Sequence, residues 1–198
     1  QIGLTFSTGL RHIVRQDPDV IMIGEIRDLE TAEIAIRSAL TGHLVFSTLH
    51  TNDAPSAVTR LVDMGVEDYL LASSLIGILA QRLVRVNCKE CKRPDLVPAS
   101  ALRDAGFDVS AFGETVELQK GAGCEHCDFT GYESRIGIFE LLDIDDSMRH
   151  LVVTTADSTV LKAEAIRSGM RTLKEDGWNK VLAGATTPDE VLRVTQEV

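Results

Sequence analysis

Three groups of residues in this 198-residue chain have the types and spacing to do chemistry. The first is Gly24-Glu25, which follows the aliphatic run Val20-Ile21-Met22-Ile23. Four apolar residues between Pro18-Asp19 and a glycine predict a strand buried on both faces of a parallel sheet. Ligands of open α/β sheets collect outside the carboxyl ends of the strands, so Glu25 stands where a catalytic carboxylate would stand, with Gly24 permitting close approach. Such a carboxylate can hold Mg²⁺ or orient a water for attack on a phosphate. The second group is His43 and His50, on either side of a second apolar run, Leu44 to Phe46. A lone histidine beside a strand is commonly a core residue, but two in one short stretch favour a role for at least one.

The third group is the cysteines, which fall without remainder into Cys88-x-x-Cys91 and Cys124-x-x-Cys127. Each pair can present two thiolates to one ion, and a closed Cys₄ shell is the usual structural zinc site. The 32 residues between the pairs carry few large apolar side chains, so metal binding is expected to supply the stability that burial would not. Two disulfides are the main alternative. A redox-active Cys-x-x-Cys would need only one pair. His126 lies inside the second pair, and a four-sulfur shell does not require it.

The elements that position these groups are legible from periodicity and punctuation. Leu10, Ile13 and Val14 predict a helix over 8–17 behind Ser7 and Thr8 as N-caps, stopped by Pro18. Asp28 can cap a second helix, with Ala32, Ala35, Ile36 and Ala39 on one stripe and Gly42 as its stop. Pro55 opens a third helix that buries Leu61 and Met64 and ends at Gly65. A short helix over 66–74 and a strand over 76–86 follow. The alternation implies a parallel sheet with right-handed crossovers. Ile136 to Leu142 reads as a strand returning to that sheet. Beyond Asp143 the pattern is helical, with Asp157 or Ser158 starting one helix and Thr187-Pro188-Asp189-Glu190 forming a capping-box start for the last.

A hydrophobic content of 44% supports a sizeable core. The formal charge of -10 argues against a nucleic-acid-binding surface and supplies no basic footprint for anionic lipid, so electrostatics favour protein partners. No apolar run approaches the ~20 residues that span a bilayer. The chain begins at Gln1, which suggests a piece of a longer parent. No Gly-x-x-x-x-Gly-Lys-Ser/Thr phosphate loop occurs, and Gly3 to Gly9 lacks the lysine such a loop needs.

The pattern Val14-Arg15, Pro18-Asp19, Ile21 to Ile23 and Gly24-Glu25-Ile26-Arg27-Asp28 resembles the signature of the type II secretion and type IV pilus assembly ATPases. Thr41-Gly42-His43-Leu44-Val45-Phe46-Ser47-Thr48-Leu49-His50-Thr51-Asn52-Asp53 is similar to that family's histidine box, and the cysteine pairs with Gly131-Tyr132 and Arg135 to Glu140 are similar to its metal-binding insertion. Ser134 departs from the glycine many relatives carry, and Arg82 falls in a recurrent segment without an assigned role.

The resemblance implies an α/β fold: a partial RecA-like parallel sheet with helices on both faces, a small zinc-binding insertion and a helical carboxyl-terminal region. It divides the chain into core residues 1–87, insertion 88–131, and a returning strand with helices over 132–198. It implies catalytic roles for Glu25, His43 and His50. It also implies contacts to nucleotide or a neighbouring subunit from Gly24, Arg27 and Asp28, and zinc ligation by Cys88, Cys91, Cys124 and Cys127. ATP and Mg²⁺ would be used by a cytoplasmic homo-hexameric parent, held at the inner membrane by the cytoplasmic parts of secretion or pilus platform proteins, and a reducing cytoplasm disfavours the disulfide alternative. Without a phosphate loop the chain alone would be inactive. A zinc-stabilised interaction module without catalysis is the alternative reading.

Overall fold

The computed structural model describes residues 6–196. They form two compact units, each discontinuous in sequence: one is built from 1–78 and 141–170, the other from 79–140 and 171–198. The contiguous segments 1–87, 88–131 and 132–198 expected from composition are therefore cut differently by the packing.

In the first unit, helix α1 (Phe6–Val14) precedes strand β1 (Val20–Ile23), helix α2 (Leu29–Leu40) and strand β2 (Leu44–Ser47). Ser7 and Thr8 lie inside α1 instead of capping it. The two strands pair in parallel with Val20 opposite Leu44 and Ile23 opposite Ser47. Asp28 caps α2, its Oδ1 accepting the Thr31 N–H at 2.8 Å. Gly42 takes φ +104 beyond the Thr41 C-cap, a left-handed stop that lets the chain turn straight into β2.

The pleat sends Ile21 and Ile23 into a core with Leu10, Ile34 and Ala35, against which Val14, Ile26 and Val45 also pack. The opposite face is open among the described residues: Val20, Met22, Leu44 and Phe46 are all exposed. This corrects two expectations. The strand is buried on one face, and α1 and α2 share that face instead of covering both. Helix α3 (Pro55–Asp63), α4 (Asp68–Ser74), α6 (Asp146–Thr154) and α7 (Ser158–Arg167) complete the unit, α4 packing on α6 and α3 on α7.

A second correction concerns the strand expected over 136–142. It runs as β6 (Tyr132–Asp143), and its partner is β3 (Gly77–Asn87), not β1 or β2. The cysteines explain this: one pair follows β3 and the other precedes β6, so gathering the four sulfurs brings the two strands side by side. Cys88 N–H donates to the Gly131 carbonyl at 2.9 Å at that end.

The second unit contains the insertion, whose β4 (Lys92–Pro98) and β5 (Thr115–Gly121) pair antiparallel around helix α5 (Ala99–Asp104), and helices α8 (Leu173–Leu182) and α9 (Pro188–Thr195). Its core joins Val97, Leu102, Phe107, Val109, Val116 and Leu118 to Leu173, Trp178, Val181 and Val191. Phe107 stacks on Trp178 at 4.8 Å, and the Trp178 indole N–H donates to the Asp108 carbonyl. The insertion thus has an apolar core, borrowed from helices some 60 residues downstream, so the expectation that metal alone holds it together is corrected.

The capping box expected at Thr187 is half formed. Its hydroxyl accepts the Glu190 N–H, but the Glu190 carboxylate is taken by Arg85 (2.6 Å) and Arg193 (2.8 and 2.9 Å). The full reciprocal box is at Thr172 and Glu175, opening α8.

Burial of Glu190 works against its charge, but donation from Arg193 and Arg85 overcomes this and holds its pKa far below the usual carboxylate range. A depressed folded pKa adds stability that is complete above the unfolded value of about 4.3 and is lost as pH falls below it. Glu190→Gln should therefore cost about 2 kcal/mol at neutral pH, the scale of a charge-assisted hydrogen bond whose arginines can partly resolvate. Thermal melts from pH 3 to pH 7 should show the gap between variant and wild type closing on acidification.

Candidate functional site

Parallel pairing places the carboxyl ends of β1 and β2 at the same edge, and the residues beyond them meet there. The Ile26 N–H donates to the Thr48 carbonyl at 3.0 Å, and the Thr48 hydroxyl donates to the Gly24 carbonyl. These bonds carry the pairing one step past the strands and fix Glu25 between Gly24 and Ile26. Its carboxylate accepts from Arg27 Nε at 2.8 Å, and His50 Nε2 lies 3.3 Å from the same oxygen. The Arg27 hydrogen bond holds the Glu25 pKa below the usual range against a small desolvation penalty, with the Arg27 charge and His50 acting in the same direction. At neutral pH Glu25 is an ionised acceptor, the form that can hold a cation or orient a water.

Of the site residues expected from sequence, Glu25, Arg27 and His50 are brought together. His43 is not. It precedes β2, at the opposite end of a four-residue strand that spans about 13 Å. Its Nδ1–H donates to the Ser38 carbonyl at 3.0 Å, and Nε2 is buried without a partner among the described residues. Asp28 serves as the α2 cap. Gly24 has open space where a Cβ would project, so packing within the described residues does not demand glycine there.

An open cleft of about 310 Å³ adjoins His50, lined also by Asn52, Thr59, Arg60 and Ser158. Two participants escaped the sequence reading: Thr48, which ties the two strand ends, and Asp53, which is buried and accepts from Ser56 and from Lys162. Asp53 stands two residues ahead of Pro55, and an acidic residue just before a helix-opening proline is a capping signal that could have been read.

In the second unit the four cysteine sulfurs lie within 4.8 Å of one another. Cys88–Cys124 and Cys91–Cys127 are 3.9 Å apart and Cys124–Cys127 3.8 Å. A tetrahedral ion with Zn–S bonds of about 2.3 Å requires sulfurs about 3.8 Å apart, so the set fits the metal that its composition suggests. All four are free thiols, and the separations far exceed a disulfide bond.

Backbone N–H groups of Gly123, Cys124 and Gly131 point at the sulfurs of Cys91 and Cys127 at 3.3 Å. The Cys124 amide is the chief reason that the Cys127 thiol is lowered to about 6, while burial raises Cys88 to about 12. Two glycines make the knuckle possible. A Cβ on Gly121 would lie 1.9 Å from the Gly131 carbonyl oxygen, and Gly131 itself has φ +79. His126 is exposed and sits 3.6 Å from Glu133, outside the four-sulfur shell.

The family profile described as type II/IV secretion system protein matches residues 1–193. The chain belongs to this family. It is 52% identical over its whole length to the type IV pilus assembly ATPase PilB of Thermus thermophilus, and 51% identical to the type II secretion system protein E of Pseudomonas aeruginosa. It spans 22% of the first relative and 38% of the second. Among solved structures, the pilus retraction motor PilT with bound ADP superposes at a TM-score of 0.66 with 27% identity, over 98% of this chain and 44% of PilT. The Legionella pneumophila ATPase DotB shares the fold at the same TM-score and 22% identity, over 96% of this chain and 42% of DotB. No helix among the described residues is long and apolar enough to cross a membrane.

Arg27 is the main group holding Glu25 ionised. Arg27→Ala should raise the Glu25 pKa toward its ordinary value, read as an upward shift of its side-chain carboxyl ¹³C titration midpoint by NMR.

Proposed function

We propose that this chain is the carboxyl-side part of the motor domain of an ATPase that powers type II protein secretion or type IV pilus assembly. The observation that carries the reading is the meeting of Glu25 and His50 at the carboxyl edge of β1 and β2, in a member of this family. The parent hydrolyses ATP to ADP and phosphate. Mg²⁺, bound with the nucleotide, supplies neutralisation of phosphate charge. Glu25, kept anionic by Arg27, accepts a hydrogen bond from the attacking water and aligns it. His50 holds the carboxylate from the other side and can donate toward a terminal phosphate. The phosphate cradle is absent from these 198 residues, so the chain alone is inactive.

The parent works as a cytoplasmic homo-hexamer on platform proteins of the inner membrane. The acidic charge, which disfavours nucleic acid and anionic lipid, suits a protein partner. His43, at the far end of β2, senses the site through the strand and does not touch substrate.

In the longer protein, Glu25→Gln should preserve ATP binding and folding while single-turnover hydrolysis falls by about 10² to 10⁴, the usual contribution of a water-positioning or general-base group. The 198-residue chain should show only background turnover. Near-normal hydrolysis by Glu25→Gln at normal stability would remove the carboxylate from the mechanism.

The cysteines hold one structural zinc. Elemental analysis should find one zinc per chain, released by a thiol-reactive mercurial. Because Val97, Leu102 and Val116 share a core with Trp178 and Val181, metal loss should unfold residues 88–91 and 121–131, read as fast amide exchange there, and leave β4, α5 and β5 protected. Four readily alkylated thiols in a folded, metal-free protein would exclude the zinc.

A further inference from the structure

His50 is held by its backbone, not by packing. Its side chain is 86% exposed, and Glu25 is its printed polar contact. It sits in the segment 48–54, which has no regular structure between β2 and α3, so its aim depends on how the two ends of that segment are anchored. The front end is tied by Thr48 to Gly24 and Ile26. The rear end is tied by Asp53, which is 7% exposed.

Asp53 makes three separate attachments. Its Oδ1 accepts from the N–H and hydroxyl of Ser56, pinning it to the first turn of α3. Its carbonyl accepts from the Thr51 hydroxyl at 3.0 Å, closing a tight turn immediately after His50. Its Oδ2 accepts from Lys162 Nζ at 2.8 Å, a residue of α7 more than 100 positions later in the chain. A second tie runs beside it, from the Thr59 hydroxyl to the Ala156 carbonyl at 2.8 Å, so α3 and the start of α7 are bound at two points. Burial disfavours the Asp53 anion, but Lys162 and Ser56 outweigh it and its pKa is held below the usual range. Serine or asparagine would suffice as a helix cap. A buried carboxylate facing a lysine does something a neutral cap does not: it ties the His50 segment to α7.

We propose that Asp53, clamped by Lys162, is a positioning residue that fixes His50 against Glu25 and so makes the geometry of the hydrolytic site depend on the seat of helix α7. This rests on the hydrolytic role proposed for Glu25 and His50. Neither Asp53 nor Lys162 touches the reacting atoms. Both act through His50.

Asp53→Asn keeps a cap and removes the charge, and Lys162→Gln, at a partly exposed position, breaks the same link from the other side. In the longer ATPase each should lower kcat by about 10- to 100-fold, as small misplacements of catalytic groups do, with the KM for ATP unchanged. The double variant should be no worse than either single one, because one link is broken once. In the 198-residue chain, Glu25→Gln should shift the His50 ring resonances in NMR spectra, and this response should vanish in the Asp53→Asn and Lys162→Gln backgrounds while the amide spectrum stays folded. A preserved His50 response, or kcat and KM altered together with a lowered melting temperature, would overturn the proposal. Loss of turnover in Glu25→Gln with wild-type kcat in Lys162→Gln would sink the positioning role alone. Normal turnover in Glu25→Gln would remove the hydrolytic reading and this inference with it.

Discussion

The site depends on the parallel pairing of β1 and β2. Two parallel strands end at the same edge, and only that arrangement allows residues separated by 25 positions, Glu25 and His50, to share a hydrogen-bonding distance. Parallel neighbours require a crossover, which α2 provides. Its length is bounded by the Asp28 cap at one end and the left-handed Gly42 at the other. The register is set by burial. Ile21, Ile23 and Val45 must face Leu10, Ile34 and Ala35, and a slip of one residue would turn the whole set outward. Once Ile23 lies opposite Ser47, the next backbone bond joins Ile26 to Thr48, and Glu25 is left projecting at the edge.

The second unit is closed by a different kind of constraint. The cysteine pairs are separated by 32 residues, and gathering their sulfurs draws β3 and β6 together at one end while leaving β4, α5 and β5 as a loop between the pairs. That loop is folded by apolar contacts with α8 and α9 and does not depend on the ion. The metal's task is local. It defines the two knuckles, where Gly121 and Gly131 approach too closely for any side chain and where three amide hydrogens point at thiolate sulfur.

Buried polar groups in this unit tie the knuckle to the carboxyl-terminal helices. Asn87, just before the first cysteine, donates from Nδ2 to the carbonyls of Gln119, Gly184 and Thr186. Tyr132, just after the second knuckle, hydrogen-bonds Thr187, and Arg85 stacks on the Tyr132 ring while pairing with Glu190. Each of these contacts joins chain segments about 30 or more residues apart, so the helices after residue 171 belong physically with the insertion.

The sequence by itself determined the local elements and the chemistry-bearing residues. Val20 to Ile23 as a strand, Asp28 as a cap, Pro55 at a helix start, Gly42 and Gly65 as stops, and the Cys₄ set all follow from residue types and spacing. Each is decided by backbone sterics or by a ligand geometry that neighbouring residues impose. What only the tertiary structure decided are the long-range choices. It gave β6 to β3, because drawing the cysteine pairs together overrides the similar strand pattern of the main sheet. It left Val20, Met22, Leu44 and Phe46 exposed, since an unbroken apolar run cannot say how many of its faces are covered. It separated His43 from Glu25 by the length of β2 while joining His50 to it, and it brought Lys162 to Asp53. Periodicity records which way a side chain points along its own element; it carries no information about which distant element arrives to meet it.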